Sequence, residues 1–206
     1  MSTIENKSTK SAFSEEYFGM KKTPSFSEYI HWQELNDRIL VLNDAVDEFI
    51  VEEYMLPILK WNKEDEGKPV DERKPITFYL SSPGGDLFGG LVLAEIIKKS
   101  ETPVHIIALT IAASMGSVLL VSGHKRSAYK FTNVLIHDGS TGISGSSNKV
   151  KDHMKYFDKK SEQIKEFILS NSKITPEKYE EMDDREWWIT ADEALELGII
   201  DEIIGG

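Results

Sequence analysis

Short apolar runs, each closed by glycines or by a charged loop, recur through most of the chain. They start late. Residues 1 to about 27 show no apolar period, only Ser, Thr, Lys and Glu with scattered aromatics at Phe13, Tyr17, Phe18 and Phe26. That composition predicts a flexible arm whose aromatics give it points to dock on a neighbour. Arg38–Leu42 reads as a first buried strand, and the apolar spacing of Phe49, Ile50, Tyr54, Met55, Ile58 and Leu59 predicts a helix over Asp47–Trp61. The segment Lys63–Pro75 is a charged loop. Then come a strand at Ile76–Leu80, a helix from Leu87 to about Lys99, a strand at Val104–Thr110, a helix from Ser114 to about Ser122 and a strand at Val134–His137. The Gly/Ser-rich run from Gly139 to Asn148 predicts extended or mobile chain. A long amphipathic helix follows from about Ser147 to Ser170, with Val150, Met154, Phe157, Ile164, Phe167 and Ile168 on one stripe. Thr175 and Pro176 are the N-cap and first position of another helix. Trp187–Ile189 is a short strand, Thr190–Gly198 a helix with a terminal glycine, and Ile199–Ile204 closes the chain. Strand-then-helix units in series require crossovers, hence a largely parallel sheet and an α/β fold.

Composition narrows the picture. At 206 residues, 40% hydrophobic and 29% charged, the chain is one soluble globular domain with a full core. A net charge of −11 argues against nucleic acid as partner, since phosphate binding needs a basic surface. With no cysteine there is neither disulfide nor thiolate metal site, which fits a reducing compartment. Met1–Lys10 lacks the apolar core of a signal peptide. The longest apolar stretch, Val104–Val121, is interrupted by His, Thr and Ser and reads as strand plus buried helix, not a membrane span. A cytoplasmic location is expected.

Three segments carry candidate chemistry. In Ala112-Ala113-Ser114-Met115-Gly116 a serine sits among small residues at a strand-to-helix junction, where its hydroxyl can be held rigidly. It reads equally as a helix cap. In Ser81-Ser-Pro-Gly-Gly-Asp-Leu-Phe-Gly-Gly90 a glycine-rich turn follows a strand. Glycines let backbone amides approach a substrate. The turn also reads as a plain helix start or a phosphate nest, but it is neither a P-loop nor G-x-G-x-x-G. Asn133-Val-Leu-Ile-His137-Asp-Gly139 is a strand ending in a histidine. A serine nucleophile needs a base within reach, and the oxyanion it forms needs N–H donors in wait. His137, at the end of a parallel strand, suits the base. His31, His105, His124 and His153 read as solvated or packing histidines.

Taken in order, these three motifs resemble the Clp protease proteolytic subunit (ClpP) family, over about Leu35–Ile204. The resemblance implies a ClpP/crotonase-like α/β fold of repeated β-β-α units in a single domain, 28–206, with a projecting handle at about 139–170. It implies Ser114 as nucleophile and His137 as base, at a spacing of 23 residues close to the family's. The N–H groups of Gly85 and Met115 would form the oxyanion hole. The family's third triad member is an aspartate, and its register falls on Glu186, with Asp184 the alternative and Asp183 also just upstream. Asp138-Gly139 replaces the polar-Pro pair common after the family's histidine. The resemblance further implies a homo-oligomer of heptameric rings joined into a tetradecamer through the handles, polypeptide substrates, and a separate AAA+ unfoldase, since this chain has no ATP-binding motif. Neither metal nor organic cofactor is needed. Two other readings stay open: a catalytically weak or inactive ring subunit, and a crotonase-like acyl-CoA enzyme that uses the glycine-rich oxyanion hole without a serine nucleophile.

Overall fold

The structure, a computed structural model, describes residues 25–139, 142–182 and 185–205. The expected arm, apart from its last residues, lies outside them. The chain divides into two compact units, Met1–Ile39 and Leu40–Gly206.

In the first unit the described element is helix α1, Phe26–Asn36. Ser25 caps it with a reciprocal box. The Glu28 N–H donates to Ser25 Oγ at 3.2 Å, and the Ser25 N–H donates to the Glu28 carboxylate at 2.7 Å. Arg38, at φ 59°, turns the chain out of the helix. The sequence reading assigned no element here, although Ser25-x-x-Glu28 is the signature of such a start.

The second unit is built on a seven-stranded sheet. Strand β1 (Ile39–Leu42) is followed by a π-helical turn, Val51–Met55, that runs into α2, Leu56–Glu64. Then come β2 (Ile76–Ser82), α3 (Leu87–Lys99), β3 (Val104–Ala113) and α4 (Met115–Ser122). They are followed by β4 (Lys125–Tyr129), β5 (Asn133–Ile136), α5 (Ser147–Ser170) and α6 (Pro176–Met182). Strand β6 (Trp187–Thr190), α7 (Ala191–Glu196) and β7 (Glu202–Ile204) complete the chain. The main path of the sheet is β1-β2-β3-β4-β7.

The ten-residue β3 organises the site because one of its edges pairs with β2 while the other serves two partners in turn. Its first half, His105–Ala108, pairs parallel with β4, and its second half, Ile111–Ala113, pairs parallel with β5. Strand β5 then pairs antiparallel with β6. Strand β2 alternates buried and half-buried positions, so Ile76, Phe78 and Leu80 enter the core while the residues between them meet the other face. Every residue of α4 is buried. It packs on α3 and against β3 and β2, so its apolar character all round is that of a helix enclosed by the domain. Leu119 and Leu120 are fully buried there, and each such side chain contributes on the order of 2 kcal/mol of transfer free energy.

Strand β4 is an element to which the sequence gives no clear signal. Its burial runs exposed, half-buried, buried, buried, exposed, too short an apolar signal to mark a strand. A polar clamp fixes it instead. The Arg126 guanidinium donates to Asp201 at 3.0 Å, to the Asn171 carbonyl at 2.6 Å and to the Gly198 carbonyl at 2.9 Å. One side chain thereby joins β4, the end of α5 and the segment entering β7. Burial alone would raise the Asp201 carboxyl. The hydrogen bonds and charge of Arg126 outweigh it and hold the group below the ordinary aspartate range.

Candidate active site

The strand-to-helix junction is strained at one residue. Ser114 stands at φ 54°, ψ −122°, between the last residue of β3 and the first of α4. A positive φ at a non-glycine residue costs about 1–3 kcal/mol and persists only where the surroundings impose it. Here they do. The Ser114 N–H extends the β3–β5 ladder by donating to the Leu135 carbonyl at 2.9 Å. The Ser114 carbonyl accepts both the N–H of Ser117, at 2.9 Å, and its hydroxyl, at 2.7 Å. The Ser114 hydroxyl makes no capping bond to α4. The capping alternative of the sequence reading is thereby set aside.

The glycine-rich turn is shaped by what lies against it. A Cβ on Gly84, which has φ 99°, would come within 2.6 Å of the Ser114 Cβ and 2.8 Å of the Ala113 carbonyl oxygen. On the other side, the Val46 N–H donates to the Gly84 carbonyl at 2.8 Å and the Asp86 N–H donates to the Val46 carbonyl at 2.7 Å. Gly85 is held between these two bonds at φ 144°, and a Cβ there would meet the Val46 oxygen at 2.2 Å. Its own N–H takes no part in a hydrogen bond among the described residues. The Met115 N–H, at the first position of α4, has no intrahelical partner and none elsewhere among them. Two residues with unengaged amides thus line the same cavity as the serine.

Ser114, Met115, Gly85 and His137 line one cavity of about 620 Å³. His137 reaches it from the residue after β5. Met154, Phe157 and Ile164, on the stripe of α5, supply an apolar wall, and Tyr179 of α6 completes it. The sequence reading had placed those α5 residues on a packing stripe without assigning them to the site. Among the described residues no hydrogen bond joins the Ser114 hydroxyl to the His137 ring.

The other histidines stand elsewhere. His31 and His153 are exposed. His105 lies on β3, and Nδ1 of His124 accepts the Val104 N–H at 3.1 Å. None of the four lines the cavity.

Glu186 is exposed, just before β6. It does not line the cavity, and its carboxylate accepts the Trp188 indole N–H at 3.3 Å. The alternative, Asp184, and its neighbour Asp183 lie outside the described residues. Among the described residues no cluster of three metal-ligating side chains occurs, and no helix is long and apolar enough to cross a membrane.

A strained serine and a histidine lining one cavity of an α/β scaffold are parts that a serine-type peptidase uses. Comparison with known proteins narrows the class. The Clp protease family model matches residues 25–206, and the chain belongs to that family. It is 32% identical to the ATP-dependent Clp protease proteolytic subunit of Bacteroides fragilis over 170 residues, 82% of this chain and 79% of that one. It is 30% identical to the ATP-dependent Clp protease proteolytic subunit 2 of Tropheryma whipplei over 171 residues, covering 82% and 92% of the two chains. The proteolytic subunit 2 of Rhodococcus jostii is 29% identical over 182 residues, 87% and 90% respectively.

Proposed function

We propose that the chain hydrolyses peptide bonds by acyl transfer through Ser114. The Ser114 oxygen attacks the substrate carbonyl carbon while His137 takes the hydroxyl proton. The carbonyl oxygen becomes an oxyanion and settles on the amides of Gly85 and Met115. The C–N bond then breaks, the leaving amine takes the proton from the imidazolium, and an ester to Ser114 remains. Water, deprotonated by His137, attacks that ester and returns the serine. Glu186 acts as the third member, holding the imidazole in orientation and stabilising its charged form. No step calls for a metal or an organic cofactor.

The observation that carries this reading is the convergence on one cavity of the strained serine, a histidine and two amides without partners. A crotonase-like enzyme would have no use for the first two, and membership of the Clp protease family points the same way.

The site works, on this reading, inside an assembly of copies in the cytoplasm. Phe49, Leu56, Leu59, Phe88 and Val92 are about half exposed, an apolar surface suited to burial against neighbouring subunits. In α5 only Ile168 is buried, which leaves the helix's first half available as a handle between two rings. Heptameric rings stacked in pairs would enclose the cavities, and a separate AAA+ unfoldase would supply unfolded polypeptide. The names of the relatives, ATP-dependent proteolytic subunits, support such a partner. The absence of a hydrogen bond between Ser114 and His137 favours a second reading, a ring subunit with little activity of its own.

One experiment separates the two. Particle size and hydrolysis of a fluorogenic peptide are measured for the wild type and for Ser114→Ala. A ring-sized particle that cleaves, with cleavage lost in the variant, supports the peptidase. A ring that never cleaves supports the structural subunit, and a monomer without activity contradicts both.

A further inference from the structure

Strands β5 and β6 form a two-stranded antiparallel ribbon in which Leu135 stands opposite Trp188 and Ile136 opposite Trp187. Alternate residues of a strand face opposite sides. Trp187 and Ile189 go into the core, and Trp188 stays half exposed. The ladder ends at Ile136 and Trp187; continued by one residue on each strand, its register would bring Glu186 across from His137, on the Trp188 side of the ribbon. His137 lines the Ser114 cavity and Glu186 does not, so whatever Glu186 contributes to catalysis passes through His137. One of its oxygens, Oε2, accepts the Trp188 indole N–H, and the other has no partner among the described residues.

The geometry points to Trp188 as a positioning residue for the triad. A glutamate has one more rotatable bond than the aspartate for which the neighbouring geometry is usually built. The indole removes that freedom by pinning one oxygen, which leaves the second to receive the imidazole N–H. Trp188 lies two residues from Glu186 and its indole N–H reaches the carboxylate at 3.3 Å, the placement such a pin requires. The inference rests on the reading of Glu186 as the third member.

The test is a double-mutant cycle on the assembled full-length protein, read as kcat and KM with a fluorogenic peptide. Trp188→Phe keeps the ring and removes the donor. It is expected to lower kcat about three- to tenfold, the worth of one partly exposed hydrogen bond to a charge, with KM unchanged. In a Glu186→Asp background the shorter carboxylate no longer reaches the indole, so the same substitution is expected to change kcat less than twofold. An unchanged or raised kcat in Trp188→Phe overturns the inference. So does an equal loss in both backgrounds, which is what a merely structural tryptophan would give. If Trp188→Phe fails to assemble, β-(3-benzothienyl)alanine at position 188 keeps the shape without the N–H and must give the same loss. Glu186→Gln separates the two levels. Full kcat in that variant removes the triad reading of Glu186, whereas loss there with no effect at Trp188 removes the pin alone.

Discussion

Gly84 and Ser114 touch so closely that a side-chain carbon on the glycine would lie 2.6 Å from the serine Cβ. The glycine-rich turn after β2 and the serine after β3 are therefore parts of one packed unit. Gly84→Ala forces both a clash and a side chain at φ 99°. The expected result is a loss of about 2 kcal/mol or more of stability. Because the serine must move, peptide hydrolysis should fall by at least about a hundredfold. Thermal unfolding and steady-state hydrolysis of the same preparation check both.

The strain at Ser114 predicts opposite effects on stability and activity. Its hydroxyl makes no structural hydrogen bond to α4, and its backbone sits where glycine is at ease. Ser114→Gly should abolish hydrolysis and raise stability by about 1 kcal/mol, a rise of about 2–4 °C in Tm. A variant that is both inactive and less stable would show that the hydroxyl has a structural partner.

Arg126 ties three segments together, so its loss should be felt across them. Arg126→Ala leaves the Asn171 and Gly198 carbonyls without their donor and is expected to cost about 2–3 kcal/mol. The paired Asp201 also predicts a pH dependence. Its carboxyl titrates below the ordinary range in the folded chain, so its contribution is complete above about pH 4 and disappears as pH falls through the folded value. Asp201→Asn should flatten that acid limb in denaturant titrations run at a series of pH values. An unchanged limb would mean that the pair is not coupled to folding.

The chemistry-bearing segments were readable in the sequence because each joins a strong apolar run to a turn of small residues. The strands expected at Ile76–Leu80, Val104–Thr110 and Val134–His137 all formed and end at the cavity, although β3 runs on to Ala113 and β5 stops at Ile136, one residue short of His137. The long helix, too, runs over Ser147–Ser170 as its stripe predicted. Elements fixed by polar contacts were not readable in the same way. Strand β4 buries only Ser127 and Ala128, and it is set by Arg126 reaching residues 45 to 75 positions away. The α5 contribution to the cavity was hidden because Met154, Phe157 and Ile164 fit a packing stripe equally well. The contact between Glu186 and Trp188 depends on which face of a short ribbon each occupies. A sequence shows the alternation but not the partner strand.

The identity of the nucleophile is tested most directly by the site at which a fluorophosphonate attaches. Peptide mapping of the labelled full-length protein should find one adduct, on Ser114. The adduct should vanish in Ser114→Ala together with peptide hydrolysis, and form at least about a hundredfold more slowly in His137→Ala. Labelling at another residue, or peptide hydrolysis that survives in Ser114→Ala, would contradict the assignment of Ser114 and His137.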